Sequence, residues 1–263
     1  STPAVHYTTS DHLGSPRVIS NELGQVVSRR DFMPFGEEIN SGVYVFDAIK
    51  LAGAIGKLRN DNAQGELYLT DVIEILRNEG GTIAPVLIDD FIEILGVNDR
   101  VQLAESAALL RDRINEDLMK SGVTIVDPLT TWVDATATIA PDVVLAPGTA
   151  IHGATTIASG AVIGPRTTLI DCTVAANARV LESQCTEAII GEGVNVGPYS
   201  YLRAGTKLLS GSKVGAYVEM KNATLGEGSK VPHLSYVGDA VIGEGSNIGA
   251  ATIFVNYDGV EKH

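Results

Sequence analysis

The sequence predicts a mainly β protein whose largest part is a left-handed parallel β-helix built from hexapeptide repeats. A connecting α-helix and an incomplete α/β fragment precede it. Aliphatic residues recur at every sixth position from Val133 to Leu169 and again from Ile190 to Met220. The chain also has 28 glycines among 263 residues but only 5% aromatic residues, a composition that suits repeated tight turns. Repeats with a fixed period are typical of solenoid folds.

Residues 1–38 are predicted to contain a β-hairpin. The segments RVIS and QVVSRRDF have strand character and flank the turn sequence NELG. Asp11 and His12 could be read as an acid/base pair, but no nearby residue completes a site. A surface pair is therefore the simpler interpretation.

Residues 39–97 have alternating strand and helix patterns. We expect a strand in SGVYVFD, a helix beginning at Asp47, a second helix from about Asp71 to Glu79, and a strand in IAPVLI. A segment of this length is too short to close a nucleotide-binding sheet.

Residues 98–122 are predicted to form the connecting helix. Apolar residues follow helical spacing from Val101 to Ile114, and the pattern stops at Gly122. Its charged residues are most simply a solvated face.

Residues 123–263 carry the hexapeptide repeat. A period of six fits neither an α-helix nor an ordinary sheet, but it fits coils of three short strands with one inward aliphatic side chain per strand. The repeat is irregular between residues 170 and 189 and shifts phase after Met220 and Val237. An irregular β-sandwich with accidental spacing is the alternative. The predicted inward residues are Ile139, Leu145, Ile151, Ile157, Ile163, Ile190, Val196, Leu202, Val214 and Val231.

Charge and cysteine content exclude several classes of protein. A formal net charge of −13 argues against binding to nucleic acid or to acidic membrane surfaces. Cys172 and Cys185 lack metal-site spacing and are too few for a disulfide framework, so we expect a cytoplasmic protein. Neither a signal peptide nor a membrane-spanning segment is expected.

Two resemblances to known families divide the chain. Residues 1–38 resemble the end of Rhs/YD-repeat shell proteins through DHLGSPR, GQVVSRRDF and PFGE, a stretch that is structural in that family. Residues 39–263 resemble the bifunctional GlmU family through NAQGELYLTD, GVNDRVQLAE, YLRAGT, EMKNATLGEGSKVPHLSYVGDA, NIGAATI and NYDG. The two meet near Gly36–Ser41, so we expect a junction product that is truncated at both ends relative to the GlmU family.

The GlmU resemblance implies N-acetylglucosamine-1-phosphate uridyltransferase and glucosamine-1-phosphate N-acetyltransferase activities. In the uridyltransferase half, Asn40 and Glu66 match sugar-nucleotide positions and Asn98 matches a magnesium ligand. The glycine-rich loop that holds the nucleotide phosphates has no counterpart in residues 1–39, so we expect this activity to be lost and Mg²⁺ binding to be non-functional. Ordinary polar turn residues are the alternative interpretation of all three.

The acetyltransferase half matches the family more completely. The resemblance implies that His233 is the general base that takes a proton from the amine of glucosamine 1-phosphate; a neutral imidazole titrates in the right range for this. A hydrogen-bonded structural histidine is the alternative. The resemblance places Arg203, Lys221, Tyr236 and Asn247 at the sugar phosphate, and Ala250, Asn256, Tyr257 and Lys262 at the acetyl-CoA and acyl site.

The sequence therefore predicts an acetyltransferase that uses acetyl-CoA and glucosamine 1-phosphate in UDP-N-acetylglucosamine biosynthesis, as a homotrimer. Because the family continues beyond NYDGVEK with coils that carry much of the acetyl-CoA pocket, we expect impaired donor binding. Two alternatives remain open: a non-catalytic fusion of a shell-protein tail with a β-helix scaffold, and a hexapeptide acyltransferase with another acceptor.

Overall fold

The chain forms two compact units with a boundary between Gln102 and Leu103. The computed structural model describes the backbone of residues 7–10, 16–20, 26–29, 44–60, 67, 69, 71–84 and 90–261.

The first unit contains a three-stranded antiparallel sheet. Its strands are Tyr7–Ser10, Pro16–Ser20 and Val26–Arg29, with the second strand in the middle. The predicted hairpin is therefore confirmed, since the second and third strands pair. The first strand was not predicted, although its sequence YTTS contains residues that favour strands.

Two short α-helices and a 3-10 turn also belong to the first unit. The helix Ala48–Ile55 begins after Asp47, whose carboxylate accepts hydrogen bonds from the N–H groups of Ile49 and Lys50 at 3.0 and 3.1 Å. This cap is the predicted one. The second helix is Asp71–Asn78 and the 3-10 turn is Phe91–Ile94. The buried core of this unit consists of Ala54, Val72 and Leu76.

The strands predicted in SGVYVFD and IAPVLI are not found where they can be checked. Residues 44–47 and residues 83 and 84 form no strand, and the rest of the two segments lies outside the described residues. A strand is stable only when a neighbouring strand satisfies its backbone groups. Between residues 44 and 99, the described residues provide no such neighbour.

The connecting helix is Arg100–Lys120, close to its predicted bounds. Gly122, at φ +101°, follows it. Asn115 is buried in the helix, and its amide NH₂ donates to the carbonyl oxygens of Pro128 and Thr131 at 3.0 and 2.9 Å. No described helix is both long and apolar enough to cross a lipid bilayer.

The second unit is a left-handed parallel β-helix with three faces of seven strands each. The first face contains Thr124–Ile125, Val144–Leu145, Val162–Ile163, Arg179–Val180, Asn195–Val196, Lys213–Ala216 and Lys230–His233. The second face contains Trp132–Val133, Ala150–His152, Thr168–Ile170, Gln184–Thr186, Tyr201–Leu202, Glu219–Lys221 and Tyr236–Gly238. The third face contains Thr138–Ile139, Thr156–Ile157, Thr173–Val174, Ile189–Ile190, Lys207–Leu208, Thr224–Leu225 and Val241–Ile242.

The core of the β-helix is the inward column predicted from the repeat. All ten predicted inward residues are buried, and the most exposed of them, Ile139, is only 8% accessible. The accidental-spacing alternative is wrong. In the irregular stretch the inward residues are Val174, Val180 and Cys185, which the six-residue count did not identify.

These residues were missed because some corners of the coil are one residue shorter. The inward positions Leu169, Val174 and Val180 are separated by five and then six residues. Each five-residue step contains a non-glycine residue with positive φ, which turns the chain in less length. Such residues are Asp171, Glu182, Glu187, Asn222 and Asp239, with φ between 44° and 50°.

Candidate active site

Arg203, Lys221 and Tyr236 project from the second face in consecutive coils. Glu219 pairs with Tyr201 on one side and with Tyr236 on the other. Because Arg203 and Lys221 each come two residues after this ladder, they occupy matching places in neighbouring coils. The structure thus brings together three of the four predicted sugar-phosphate residues.

Arg203 already has one acidic partner. Its Nη1 donates to Oε1 of Glu219 at 2.8 Å, and both side chains are 41% exposed. This hydrogen bond raises the pKa of Arg203 above its ordinary value. A guanidinium has five N–H donors, so one such bond leaves donors for an anionic ligand. Glu219 was not among the predicted site residues.

The other basic residues between 203 and 230 do not join this face. Lys207 lies on the third face, while Lys213 and Lys230 pair with each other on the first. The sequence had suggested one positive cluster, which is wrong. In a three-sided coil, only residues about 17 or 18 positions apart share a face.

His233 ends the last strand of the first face, immediately before the corner that leads to the second. It pairs with Ala216 in the preceding coil, and Leu234 turns the corner with φ +47°. His233 is exposed, and its carbonyl oxygen accepts a hydrogen bond from Ser235 Oγ at 2.7 Å. Its imidazole has no hydrogen-bonding partner among the described residues. The alternative of a hydrogen-bonded structural histidine therefore has no contact to support it.

Asn247 and Ala250 lie in the coil that follows His233. Asn247 forms a bridge with Lys230 on the first face, so it does not share the second face with Arg203. Ala250 follows Asn247 by three residues, as His233 follows Lys230, which places it at the same corner. Its backbone N–H donates to no acceptor in the described part of the chain, so it is available to a ligand.

Asn256 belongs to a polar cluster at the other edge of the second face. Its Nδ2 donates to Oδ2 of Asp239 and lies 3.4 Å from the Tyr236 hydroxyl oxygen. Asn222 donates from Nδ2 to the other carboxylate oxygen of Asp239 at 2.8 Å. An ideal β-carbon at Gly238 would lie 2.7 Å from Asn256 Nδ2, so only glycine leaves room for this amide.

Sequence reasoning missed three members of this cluster: Asn222, Gly238 and Asp239. A signal was available, since Asn222 and Asp239 stand at five-residue steps where an Asn or Asp with positive φ is favoured. Tyr257, which was predicted, is 55% exposed and lies next to Asn256. The predicted residues Asn40, Glu66 and Lys262 lie outside the described residues.

The surroundings of Asn98 do not fit a magnesium site. Its N–H donates to Oε1 of Gln102 at 2.6 Å, and the N–H of Gln102 donates to Oδ1 of Asp99 at 2.8 Å. These contacts cap the helix Arg100–Lys120. Magnesium requires several oxygen ligands, and no group of three or more His, Cys, Asp or Glu in the described residues could hold a metal ion. Asn98 as a metal ligand stays a prediction.

Comparison with curated proteins gives consistent relatives, although no family model matches the chain. The chain is 54% identical over 226 residues to a protein named bifunctional protein GlmU from Streptomyces coelicolor, covering 86% of this chain and 47% of that protein. It is 52% identical over 261 residues to the GlmU of Mycolicibacterium vanbaalenii, covering 97% and 53%. The GlmU of Corynebacterium diphtheriae is 48% identical over 260 residues, covering 97% and 54%.

The longer alignments reach into residues 1–38, beyond the stretch where the GlmU resemblance was recognised. The Rhs resemblance of those residues stays a prediction. Nothing in the comparisons supports the alternative of a non-catalytic fusion scaffold.

Solved structures with some likeness are acyltransferase chains at low similarity. The acetyltransferase domain of PglB from Neisseria gonorrhoeae, in complex with acetyl coenzyme A, has a TM-score of 0.35 and 19% identity over 51% of this chain and 61% of that one. A mutant of GDP-perosamine N-acetyl transferase from Caulobacter crescentus has a TM-score of 0.32 and 19% identity, covering 66% and 85%. Scores this low carry no weight for function.

Identity near 50% across most of the chain is far beyond what a shared architecture alone requires. The chain spans about half the length of the curated relatives it matches. By sequence and by its β-helix, the chain is therefore a relative of the bifunctional GlmU proteins.

Proposed function

We propose that the protein transfers an acetyl group from acetyl-CoA to the amine of glucosamine 1-phosphate, a step of UDP-N-acetylglucosamine biosynthesis. The observation that carries the proposal is the alignment of Arg203, Lys221 and Tyr236 on one face, next to the corner that bears the exposed His233. The relationship to GlmU proteins supports the same assignment.

Arg203 and Lys221 would hold the phosphate of the acceptor. A phosphate monoester carries close to two negative charges at neutral pH, and charge-assisted hydrogen bonds to it are stronger than neutral ones. Tyr236 would add a neutral donor from the next coil. In a chain with a net charge of −13, this local pair of cations is what attracts an anionic substrate. Asn247, on the first face, would contact the same substrate from the His233 side of the corner.

His233 would act as the general base. As the amine nitrogen forms a bond to the thioester carbonyl carbon, His233 takes one of its protons. The carbonyl oxygen becomes an oxyanion, which the unpaired N–H of Ala250 can stabilise. The C–S bond then breaks, and coenzyme A leaves with a proton as the free thiol. Asn256, Tyr257 and Lys262 would line the acyl side of this site.

We also propose that the protein is a cytoplasmic homotrimer, as the family resemblance implies. A ridge of exposed side chains supports an interface between copies: Tyr199, Tyr217 and Leu234 are 53, 61 and 60% exposed at successive corners. The two tyrosine rings stack at 5.3 Å. Because the ridge adjoins His233, a second copy seated there would border the site. Light scattering should give three times the mass of one chain; a single-chain mass would contradict the trimer.

The central test of the function is the change His233→Ala. We expect acetyl transfer to glucosamine 1-phosphate, measured as release of the coenzyme A thiol, to fall by about a hundredfold or more. Binding of glucosamine 1-phosphate should stay nearly unchanged, because its phosphate partners remain. His152→Ala is the matched control, since His152 lies on the second face three coils away and contacts Asp134. Near-normal turnover by His233→Ala would refute the general-base role.

A further inference from the structure

We propose that Asp239 is a positioning residue that fixes the amide of Asn256 with its carbonyl oxygen towards the substrate amine. The site would thereby favour an amino sugar phosphate over a hydroxyl one. This inference rests on the proposed function and adds to it a determinant of acceptor choice.

Asp239 can hold the Asn256 amide in only one orientation. An ionised carboxylate accepts hydrogen bonds and donates none, so the group that faces it must be the NH₂ of Asn256. Oδ2 of Asp239 receives that NH₂, and Oδ1 receives the NH₂ of Asn222 at 2.8 Å. The second hydrogen of Asn256 Nδ2 points to the Tyr236 hydroxyl oxygen at 3.4 Å. Both donors of Asn256 are thus used within the protein.

The carbonyl oxygen of Asn256 is left for a ligand. Among the described residues, no donor lies within hydrogen-bonding distance of it, and Asn256 is only partly buried. Its hydrogen bond to Tyr236 places it beside one of the residues proposed to bind the sugar phosphate. A donor on that substrate is therefore the group this oxygen suits.

The backbone builds Asp239 into the same corner as Lys221. The N–H of Asp239 donates to the carbonyl oxygen of Lys221 at 3.0 Å, and Asp239 has φ +49°. Gly238 pairs with Lys221 and leaves the space that the Asn256 amide occupies. The carboxylate is therefore fixed relative to the residue that would hold the phosphate.

The orientation matters because an ammonium group and a hydroxyl group differ in what they tolerate. An ammonium group can only donate, so it requires the oxygen of Asn256. A hydroxyl can donate to that oxygen or accept from an NH₂, so it binds either orientation. Loss of the Asp239 anchor should therefore weaken binding of glucosamine 1-phosphate and leave binding of glucose 1-phosphate nearly unchanged.

The test compares two variants with the parent chain by isothermal titration calorimetry with both sugar phosphates. Asp239→Gly removes the carboxylate and suits the positive φ. In the reciprocal exchange D239N/N256D, the amide now at position 239 can donate to the carboxylate now at position 256 while accepting from Asn222, so an acceptor oxygen still faces the amine. We expect the preference for glucosamine 1-phosphate to fall about tenfold in Asp239→Gly, the loss of one charge-assisted hydrogen bond, and to return in the exchange.

The exchange has a second readout that a purely structural role would not move. A carboxylate at position 256 stabilises the ammonium form of the substrate and raises its pKa. Because only the neutral amine attacks the thioester, the acid side of the kcat/KM profile should shift to higher pH. Should Asp239→Gly fail to fold, which a circular dichroism melt would reveal, the exchange variant carries the test.

The outcomes separate this inference from the proposed function. A parent chain that binds neither sugar phosphate would overturn the proposed function, and the inference with it. A parent that prefers glucosamine 1-phosphate, with Asp239→Gly retaining the same preference, would overturn the inference alone. An exchange variant with an unshifted pH profile would show that position 256 does not face the amine.

Discussion

Gly215 is the position where one added methyl group tests how neighbouring coils are held together. It is buried in the strand Lys213–Ala216, and its φ is not in the left-handed region. An ideal β-carbon there would lie 2.7 Å from the carbonyl carbon and 3.1 Å from the Cα of Pro232, and closer still to the Pro232 oxygen. The optimal carbon–carbon separation is about 3.5–4.0 Å, so Gly215→Ala requires the two coils to separate by about 1 Å.

The expected cost follows from the kind of atom that is hit. Backbone atoms of Pro232 cannot rotate away as a flexible side chain would, so the penalty should reach the upper part of the overpacking range, about 2–3 kcal/mol. For a unit of this size, each kcal/mol lowers the melting midpoint by about 2–4 °C, which gives a fall of about 4–12 °C. Acetyl transfer should fall too, because the adjacent Ala216 pairs with His233.

Far-ultraviolet circular dichroism melts of two variants measure this effect. Gly243→Ala is the matched control, because no described heavy atom lies within 4 Å of its ideal β-carbon and its φ is not in the left-handed region. Its midpoint should move by no more than a surface change does, about 0.5 kcal/mol. Equal midpoints for the two variants would refute the clash with Pro232.

Two further predictions concern charge. Lys221→Ala should raise the KM for glucosamine 1-phosphate by about 10–100-fold with little change in kcat, since it removes one charge-assisted contact with phosphate; Lys213→Ala, on another face, should leave KM nearly unchanged, and equal effects would contradict the division of faces. The pKa of Asp134 is lowered, mainly by a hydrogen bond from the Gly153 N–H and also by His152. A lowered folded pKa means that the ionised carboxylate stabilises the fold above its unfolded pKa of about 3.9 and that this stability is lost on acidification. Because Asp134 is 47% exposed, Asp134→Asn should cost only about 0.5–1 kcal/mol above pH 5, a difference that urea titrations should find vanishing near pH 3.

The sequence predicted the β-helix well because one rule governs its interior. Each strand contributes one inward side chain, so Leu145, Ile163 and their equivalents could be counted without knowledge of the neighbours. The rule failed at Val174 and Cys185, since a shortened corner changes the count before the sequence signals it. A residue such as Glu187, at φ +46°, is not one that sequence rules expect in a left-handed corner.

The site was predictable in its residues but not in their contacts. Arg203 and Lys221 could be assigned to a common role, yet nothing in the sequence shows that Glu219 already binds Arg203. Contacts between coils depend on which residues reach the same face. A six-residue count does not reveal this once steps of five occur, as the false cluster containing Lys207 and Lys213 demonstrates.

The shortened corners also explain where the polar cluster lies. A side chain at such a corner can cross-link to the neighbouring coil, as Asp171 does when its Oδ1 accepts from the Ala154 N–H at 2.8 Å. At Asn222 and Asp239 two shortened corners follow one another, so the side chains meet each other instead of a backbone N–H. The Asp239 carboxylate then has an oxygen left for Asn256 in the next coil. The regular coils thus supply a rigid scaffold, and two successive departures from the repeat place an oriented amide beside the residues proposed to hold the sugar phosphate.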